Sequence, residues 1–384
     1  MSKIVISTVG TSLFHSNIRN LPDFAANGDI GILERVKERK EFLEAKNFIA
    51  LARSLEKENE TKRQVGAEIN SLAQLMIEKI ISPNDKLLFL VSDTEDGQGT
   101  GEVLCRYYNS KYKKDMSGYR VVEGLDDKNP KHFKTIGLRN LIKEISVEVR
   151  KYGGANTIIN ATGGYKAQVL FAGVMGQSLG IPVYYLFERF SEIIELPPQP
   201  ISLDSELWLD YQDIFMALSG ATGVESDIAG ISWDSKFDTL IEREKVDDEI
   251  LVSLSPTGEI FHQTFYYRYA QQFLQSAELR PCTKKKKPHL GNDHHRPKGL
   301  LEYLEKLTSE FDFIVQCKSY ELKNRTSPNN YFHINMDFHG QRKEIFGSYS
   351  SDFKSVFLVY TTAEDEIQQE KAKLILNEWA NKEK

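Results

Sequence analysis

Thr162, Gly163, Gly164 and Lys166 form a polar, glycine-bearing turn where an apolar run ends and a helix is expected to begin. Free backbone N–H groups at a helix N-terminus favour an anion, and the helix dipole adds to the effect. Glycine allows a ligand close to the backbone, and Lys166 supplies a point charge. The chemistry this turn suits is holding a phosphate. Upstream, Thr157-Ile158-Ile159-Asn160 predicts a short strand. Downstream, an apolar stretch from about Tyr165 predicts a helix, and a further strand follows near 182–187. A strand–turn–helix–strand unit of this kind builds a parallel sheet.

Two more turns have the same character. Gly10-Thr11-Ser12 follows the apolar run Ile4–Val9, and Ser92-Asp93-Thr94 follows Lys86–Val91. In an open α/β sheet, ligands bind beyond the C-terminal ends of the strands. The three turns offer hydroxyls, backbone N–H groups and one lysine. Their glycine spacing fits neither the dinucleotide fingerprint nor the P-loop. Taken alone, Gly163-Gly164 reads equally well as a tight strand-to-helix turn. Three such turns at corresponding strand ends favour a ligand.

The elements that position these turns follow from periodicity. Helices are predicted over 33–55, 62–80, 101–112 and 136–151, and a third strand over Tyr119–Val122. Strands alternating with helices predict a doubly wound, mostly parallel α/β sheet across about 1–198. Leu196-Pro197-Pro198-Gln199-Pro200 breaks the pattern and marks a domain boundary. A small mixed connector, 199–288, resembles a winged helix. Helices are expected there at 204–219 and 235–246, a strand at Ile250–Leu254, a turn at Ser255–Glu259 and an aromatic helix at 261–279. Lys284–Lys287 reads as an exposed linker. The last module, 289–384, is expected to hold a helix at 298–310, four antiparallel strands and a charged terminal helix at 364–380.

Composition sets bounds on function. The chain has 384 residues, 40% hydrophobic and 27% charged, as in an ordinary soluble globular protein. Three widely spaced cysteines offer neither a disulfide framework nor zinc-ligand spacing, which suits a reducing, cytoplasmic setting. No apolar stretch approaches the roughly 18 residues of a membrane span, and the N-terminal run is too short for a signal peptide. The net charge is −6, but Arg280–Lys354 carries 14 Lys and Arg against 9 Asp and Glu. A basic module on an acidic body is the footprint of nucleic-acid binding, or merely a solvated face.

The first 200 or so residues resemble the CARF domains of type III CRISPR systems. The resemblance rests on Ile6–Ser12, Ala67–Leu72, Val91–Thr94, Gly137–Leu141 and Asn160–Gln168, followed by Ile181–Tyr185. It implies a Rossmann-like homodimer that senses a cyclic oligoadenylate. Cyclic tetra-adenylate, with its two-fold symmetry, fits an isologous interface. The implied ligand-binding residues are Gly10, Thr11, Ser12, Ser92, Asp93, Thr94, Asn160, Thr162, Gly163, Gly164 and Lys166. In some relatives a Ser and a Lys also help the ribose 2′-OH cleave the ring, roles that would fall here to Ser12 and Lys166.

The C-terminal module is then the effector. The HEPN ribonuclease signature, Arg with four to six residues before His, is absent; the nearest pair is Arg325 and His333, with seven between. Asp312 with Gln316-Cys317-Lys318 imitates a PD-(D/E)xK nuclease poorly, because Gln cannot supply the second carboxylate for magnesium. Size, element order and basic character resemble RelE. The whole chain is thus most similar to the CARF–RelE fusions, the CRISPR-associated mRNA interferases. The resemblance implies ribosome-dependent, metal-independent mRNA cleavage by the 2′-OH, with no cofactor beyond the activating ring. Implied partners are mRNA on the ribosome and a ribosomal stalk protein. Candidate residues are Lys318, Lys323, Arg325, His333, His339, Arg342 and Lys343. Basic side chains would stabilise the transition state, and a His would move protons. Arg325 and His333 are expected to bracket one hairpin, and His339, Arg342 and Lys343 the next. His294, His295, Arg296 and Lys298 offer RNA phosphate contacts. Two alternatives stay open: a CARF-regulated metal-dependent nuclease, and a non-enzymatic regulator that binds nucleic acid.

Overall fold

Ile4, Val5, Ile6, Ser7 and Thr8 are all buried and form β1 (Ile4–Thr8), an inner strand of a six-stranded sheet. The computed structural model describes residues 2–20, 30–112, 115–187, 192–199, 203–225, 235–274, 278–291, 297–323, 330–336, 343–351 and 354–382. The chain divides into two units, Met1–Ser202 and Leu203–Lys384.

In the first unit β1 pairs in parallel with β2 (Lys86–Ser92) on one side and β4 (Thr157–Asn160) on the other. Beyond them lie β3 (Ser117–Val122), β5 (Val183–Tyr185) and β6 (Ile194–Leu196). The order is β3-β2-β1-β4-β5-β6, with only β6 antiparallel. Unbroken apolar runs are what strands buried on both faces require. The helices are α1 (Ser12–Phe14), α2 (Ile30–Glu44), α3 (Phe48–Glu56), α4 (Ala67–Ile77), α5 (Glu95–Tyr112), α6 (Pro130–His132), α7 (Leu138–Tyr152) and α8 (Lys166–Leu179). The single helix expected over 33–55 is divided. Lys46 takes a positive φ of 52°, and the Asn47 side chain caps α3 by accepting from the Ala50 N–H at 3.1 Å.

The second unit opens with α9 (Ser205–Asp210), α10 (Gln212–Leu218) and a three-stranded antiparallel sheet. Its strands are β7 (Thr222–Val224), β8 (Ile241–Val246) and β9 (Glu249–Leu254), in the order β7-β9-β8. The helix expected at 235–246 is therefore replaced by β8. The charged run Glu242–Lys245 fits a helix surface, but pairing with β9 leaves those side chains on an outer hairpin strand. The turn expected at Ser255–Glu259 is instead the start of α11 (Pro256–Leu274). Pro256 stands at the first helical position, where its missing N–H costs nothing, and Ser255 Oγ accepts from the Gly258 N–H at 2.9 Å.

Next come α12 (Leu300–Glu310), β10 (Ile314–Lys323), β11 (Phe332–Met336), β12 (Lys343–Ser350), β13 (Lys354–Thr361) and α13 (Glu366–Lys382). The antiparallel order is β10-β13-β12-β11. β10 and β11 are thus opposite edges, so the expected hairpin between Arg325 and His333 does not form. The expected linker Lys284–Lys287 is docked along β10. Lys286 N donates to Val315 O and His289 N to Cys317 O, both at 2.9 Å. Backbone laid on an exposed edge blocks further strand pairing there. The terminal helix α13 is shared between two cores. Leu374 packs with Trp208, Phe237 and Phe265, while Ala372, Leu376 and Trp379 pack with Leu304 and Phe357. Among the described residues no helix is long and apolar enough to cross a membrane.

Candidate functional site

The strand order places a topological switch at β1. β2 lies to one side and β4 to the other, and the region beyond the C-terminal ends of β1 and β4 is where open α/β sheets bind ligands. Gly10–Ser12 and Thr162–Lys166 border it. Their backbones are in close contact: a Cβ on Gly10 would lie 2.8 Å from Gly164 N. Gly164 has φ +103°, a conformation that favours glycine. The Thr8 hydroxyl donates to Gly163 O at 2.6 Å, tying the second turn to β1.

Beneath the turns lies a buried polar network. Asn160 donates to Ser71 Oγ at 2.9 Å, and its Oδ1 accepts from the Thr162 hydroxyl at 2.7 Å. Thr162 Oγ1 in turn accepts from Leu186 N at 3.0 Å. Asn160 is 1% exposed, so it braces the turn from below. Gly10 offers no free N–H, because that group donates to Glu68 Oε1 at 2.9 Å. The Glu68 carboxyl is buried, and burial pushes its pKa up against the opposing effect of the Gly10 N–H and its own backbone N–H.

The third expected turn is also braced internally. Ser92 Oγ and Thr94 Oγ1 share a 2.9 Å hydrogen bond, and Thr94 Oγ1 accepts from the Gly97 N–H at 3.0 Å as a cap for α5. Asp93 Oδ2 accepts from Gly124 N at 3.2 Å. Ser12 and Lys166 are the exposed members of the expected set, Ser92, Asn160 and Gly163 are buried, and the rest are partly exposed. Beside them Tyr165 packs edge-on against Phe133, ring centroids 5.2 Å apart. Burial and the neighbouring Asp127 and Asp126 carboxylates push its phenol up. Gln168 Oε1 accepts from Tyr165 N at 3.2 Å and starts α8. The sequence reading did not assign Glu68, Ser71, Tyr165 or Gln168. Glu68 and Ser71 lie three apart, one face of α4, and that spacing was the available signal.

In the second unit, the cross-strand registers align Lys318, Leu358, Phe346 and His333 in one row across all four strands. These four side chains therefore share a sheet face. The His333 ring lies on Phe346 (5.6 Å, 19°), and Tyr320 meets the same ring edge-on at 5.1 Å. Lys318 and Tyr320 are exposed on this face. Lys354 Nζ sits 5.1 Å from the Tyr331 ring centroid. Lys343 is on the opposite face, paired with Glu366 of α13 at 3.0 Å, because it is three residues from Phe346 on a period-two strand. Arg325, His339 and Arg342 lie outside the described residues, as do His294, His295, Arg296 and the Lys323 side chain.

Lys343 and His333 nevertheless both line a cleft of about 420 Å³, with Gln212, Glu366, Glu370 and Lys373. Lys373 is buried. Its Nζ reaches Glu370 Oε2 at 2.5 Å and Gln212 Oε1 at 3.0 Å, and lies 5.2 Å from the Tyr269 ring centroid. Burial pulls its pKa down, opposed by the Glu370 carboxylate.

Residues 63–199 match a family described as CRISPR-associated protein (Cas_APE2256). No curated protein matches the chain. The structure of Can2 from Sulfobacillus thermosulfidooxidans in complex with cyclic tetra-adenylate (cA4) is similar at 12% sequence identity. That similarity covers 76% of this chain and 72% of that one, with a TM-score of 0.21.

Proposed function

We propose that this chain is a sensor–effector of type III CRISPR defence, in which the first unit binds a cyclic oligoadenylate and the second cleaves RNA. The observation that carries the reading is the surface at the β1/β4 switch, where the polar turns Gly10–Ser12 and Thr162–Lys166 meet. It lies partly within the segment that matches a CRISPR-associated family. Lys166 and the amides at the start of α8 would meet phosphates, and Tyr165 and Thr11 would meet adenosine. Ser12 and Lys166 are both exposed. They are the pair for slow cleavage of the ring.

Cyclic tetra-adenylate presents four phosphates with two-fold symmetry, which calls for two copies of this surface. Leu170 and Val174, one turn apart on α8, are 63% and 44% exposed. α8 starts at the ligand turn, and this apolar stripe supports a homodimer formed around the ring. Binding would favour one dimer geometry and so change effector activity.

In the effector, the RNA 2′-OH attacks the adjacent phosphorus and the bond to the 5′ oxygen breaks. A base takes the 2′ proton and an acid protonates the leaving oxygen. The His333–Phe346–Lys318 face supports this assignment. It sets a proton-transfer group beside an aromatic platform, with Tyr320 placed to stack a base and Lys318, at the far edge of the same face, placed to meet a neighbouring phosphate. The RelE-like reading makes the substrate mRNA on the ribosome and needs no metal.

The test is a translation reaction with and without cyclic tetra-adenylate, followed by mapping of mRNA ends. Activator-dependent cuts that persist in EDTA support the reading. Cuts abolished by EDTA would replace the RelE-like effector with a metal-dependent nuclease. RNA binding without cleavage would leave a regulator.

A further inference from the structure

Glu68 is at the first turn of α4, a place where a carboxylate ordinarily faces water and the helix dipole. Here it is turned inward and is 1% exposed. It reaches both turns of that surface. Oε1 accepts the Gly10 N–H at 2.9 Å, and a Cβ on Gly163 would fall 2.2 Å from the same oxygen. Among the described residues Oε2 has no hydrogen-bond partner. Among the described residues no cation is paired with the carboxyl. A buried, unpaired carboxylate is costly, and more so beside a site for phosphates, so the neutral acid is the form that fits.

Resting on the sensor reading above, we propose that Glu68 is the positioning residue of the proposed ring site. Its carboxyl is a neutral wedge that holds the Gly10 amide and sets the spacing of the two turns. Two features support this role over simple filling of the core. The glycines at 10 and 163 are both required by the close approach of the opposing turn or of this carboxyl. The polar contacts also run from one helix to both strand ends, since Ser71, one turn further along α4, takes the Asn160 amide. The position thus couples α4 to the site, and ligand that widened the gap would have to break the Gly10–Glu68 hydrogen bond.

The test is binding of cyclic tetra-adenylate to the full chain carrying Glu68→Gln, Glu68→Ala or neither, with circular dichroism and thermal melting to check the fold. A carboxamide oxygen can accept the Gly10 N–H, so Glu68→Gln is expected to bind within about twofold of wild type. Glu68→Ala is expected to bind about tenfold more weakly while remaining folded. Should Glu68→Ala prove unfolded, Ser71→Ala provides the second probe through the same helix, with weakened binding expected. Wild-type affinity in Glu68→Ala, or in Ser71→Ala where that is the probe used, overturns the inference and leaves the sensor reading standing. Equal loss in Glu68→Gln and Glu68→Ala overturns it by showing that charge is needed. No binding by the wild type overturns the sensor reading and this inference together.

Discussion

The imidazole of His333 lies nearly parallel to the ring of Phe346, 5.6 Å between centroids and 19° between planes. Phe346 is itself buried, and Tyr320 fixes its other contact edge-on. The histidine is thus oriented by a rigid aromatic base. The strand that carries it is pinned from behind, because Asn377 of α13 exchanges two hydrogen bonds with the Phe332 backbone at 2.8 and 2.9 Å.

If His333 moves a proton in RNA cleavage, His333→Asn should lower single-turnover cleavage by about 10²-fold or more. Affinity for cyclic tetra-adenylate should not change, because the proposed ring site belongs to the other unit. End-mapping of cleaved RNA and calorimetric binding on the same preparation check both halves. Cleavage at the wild-type rate removes His333 from the mechanism.

Lys166 is exposed at the first position of α8. Removing its charge should weaken cyclic tetra-adenylate binding by on the order of tenfold, with a shallower dependence on salt. Calorimetry on Lys166→Ala at two ionic strengths measures this. Unchanged affinity would mean that the ring binds elsewhere.

Leu170 carries most of the exposed apolar stripe of α8 at 63% exposure. If the proposed homodimer uses this face, Leu170→Asp should convert it to a monomer and weaken ring binding along with it. Light scattering behind size-exclusion chromatography reads the mass directly. A dimer that survives the substitution places the interface on another face.

Burial raises the Glu68 pKa in the folded protein, and this makes a pH prediction. An unfolded Glu titrates near about 4.3. Above that value the folded state holds a proton that the unfolded chain has released. The stability Glu68 contributes is therefore complete below the unfolded pKa and is lost as pH rises through the folded one. Relative to Glu68→Gln, wild type should lose stability from acid toward neutral pH. Urea unfolding of both proteins at several pH values tests the sign, and parallel curves would show that Glu68 is not held protonated.

Five of the six strands of the first sheet, all but the short antiparallel β6, and the turns that follow β1, β2 and β4 were legible in the sequence. Ile4–Thr8, Lys86–Ser92 and Thr157–Asn160 are apolar runs that end in polar residues, and burial on both faces demands such runs. α8 and its turn were equally plain, since local chemistry decides them. Which turn groups remain open to a ligand was decided only by tertiary structure. Gly10 and Gly163 look alike in sequence, but an inward Glu68 nearly sixty residues from one and about ninety-five from the other occupies the first and crowds the second. Strand order in the second unit is a similar case. β10 and β11 are neighbours in the chain, yet β13 takes the place beside β10. That arrangement puts Lys318 and His333 at the two ends of one row and sends Lys343 to the other face. Periodicity within a strand names the alternation of faces, but only the pairing register between distant strands says which residues meet.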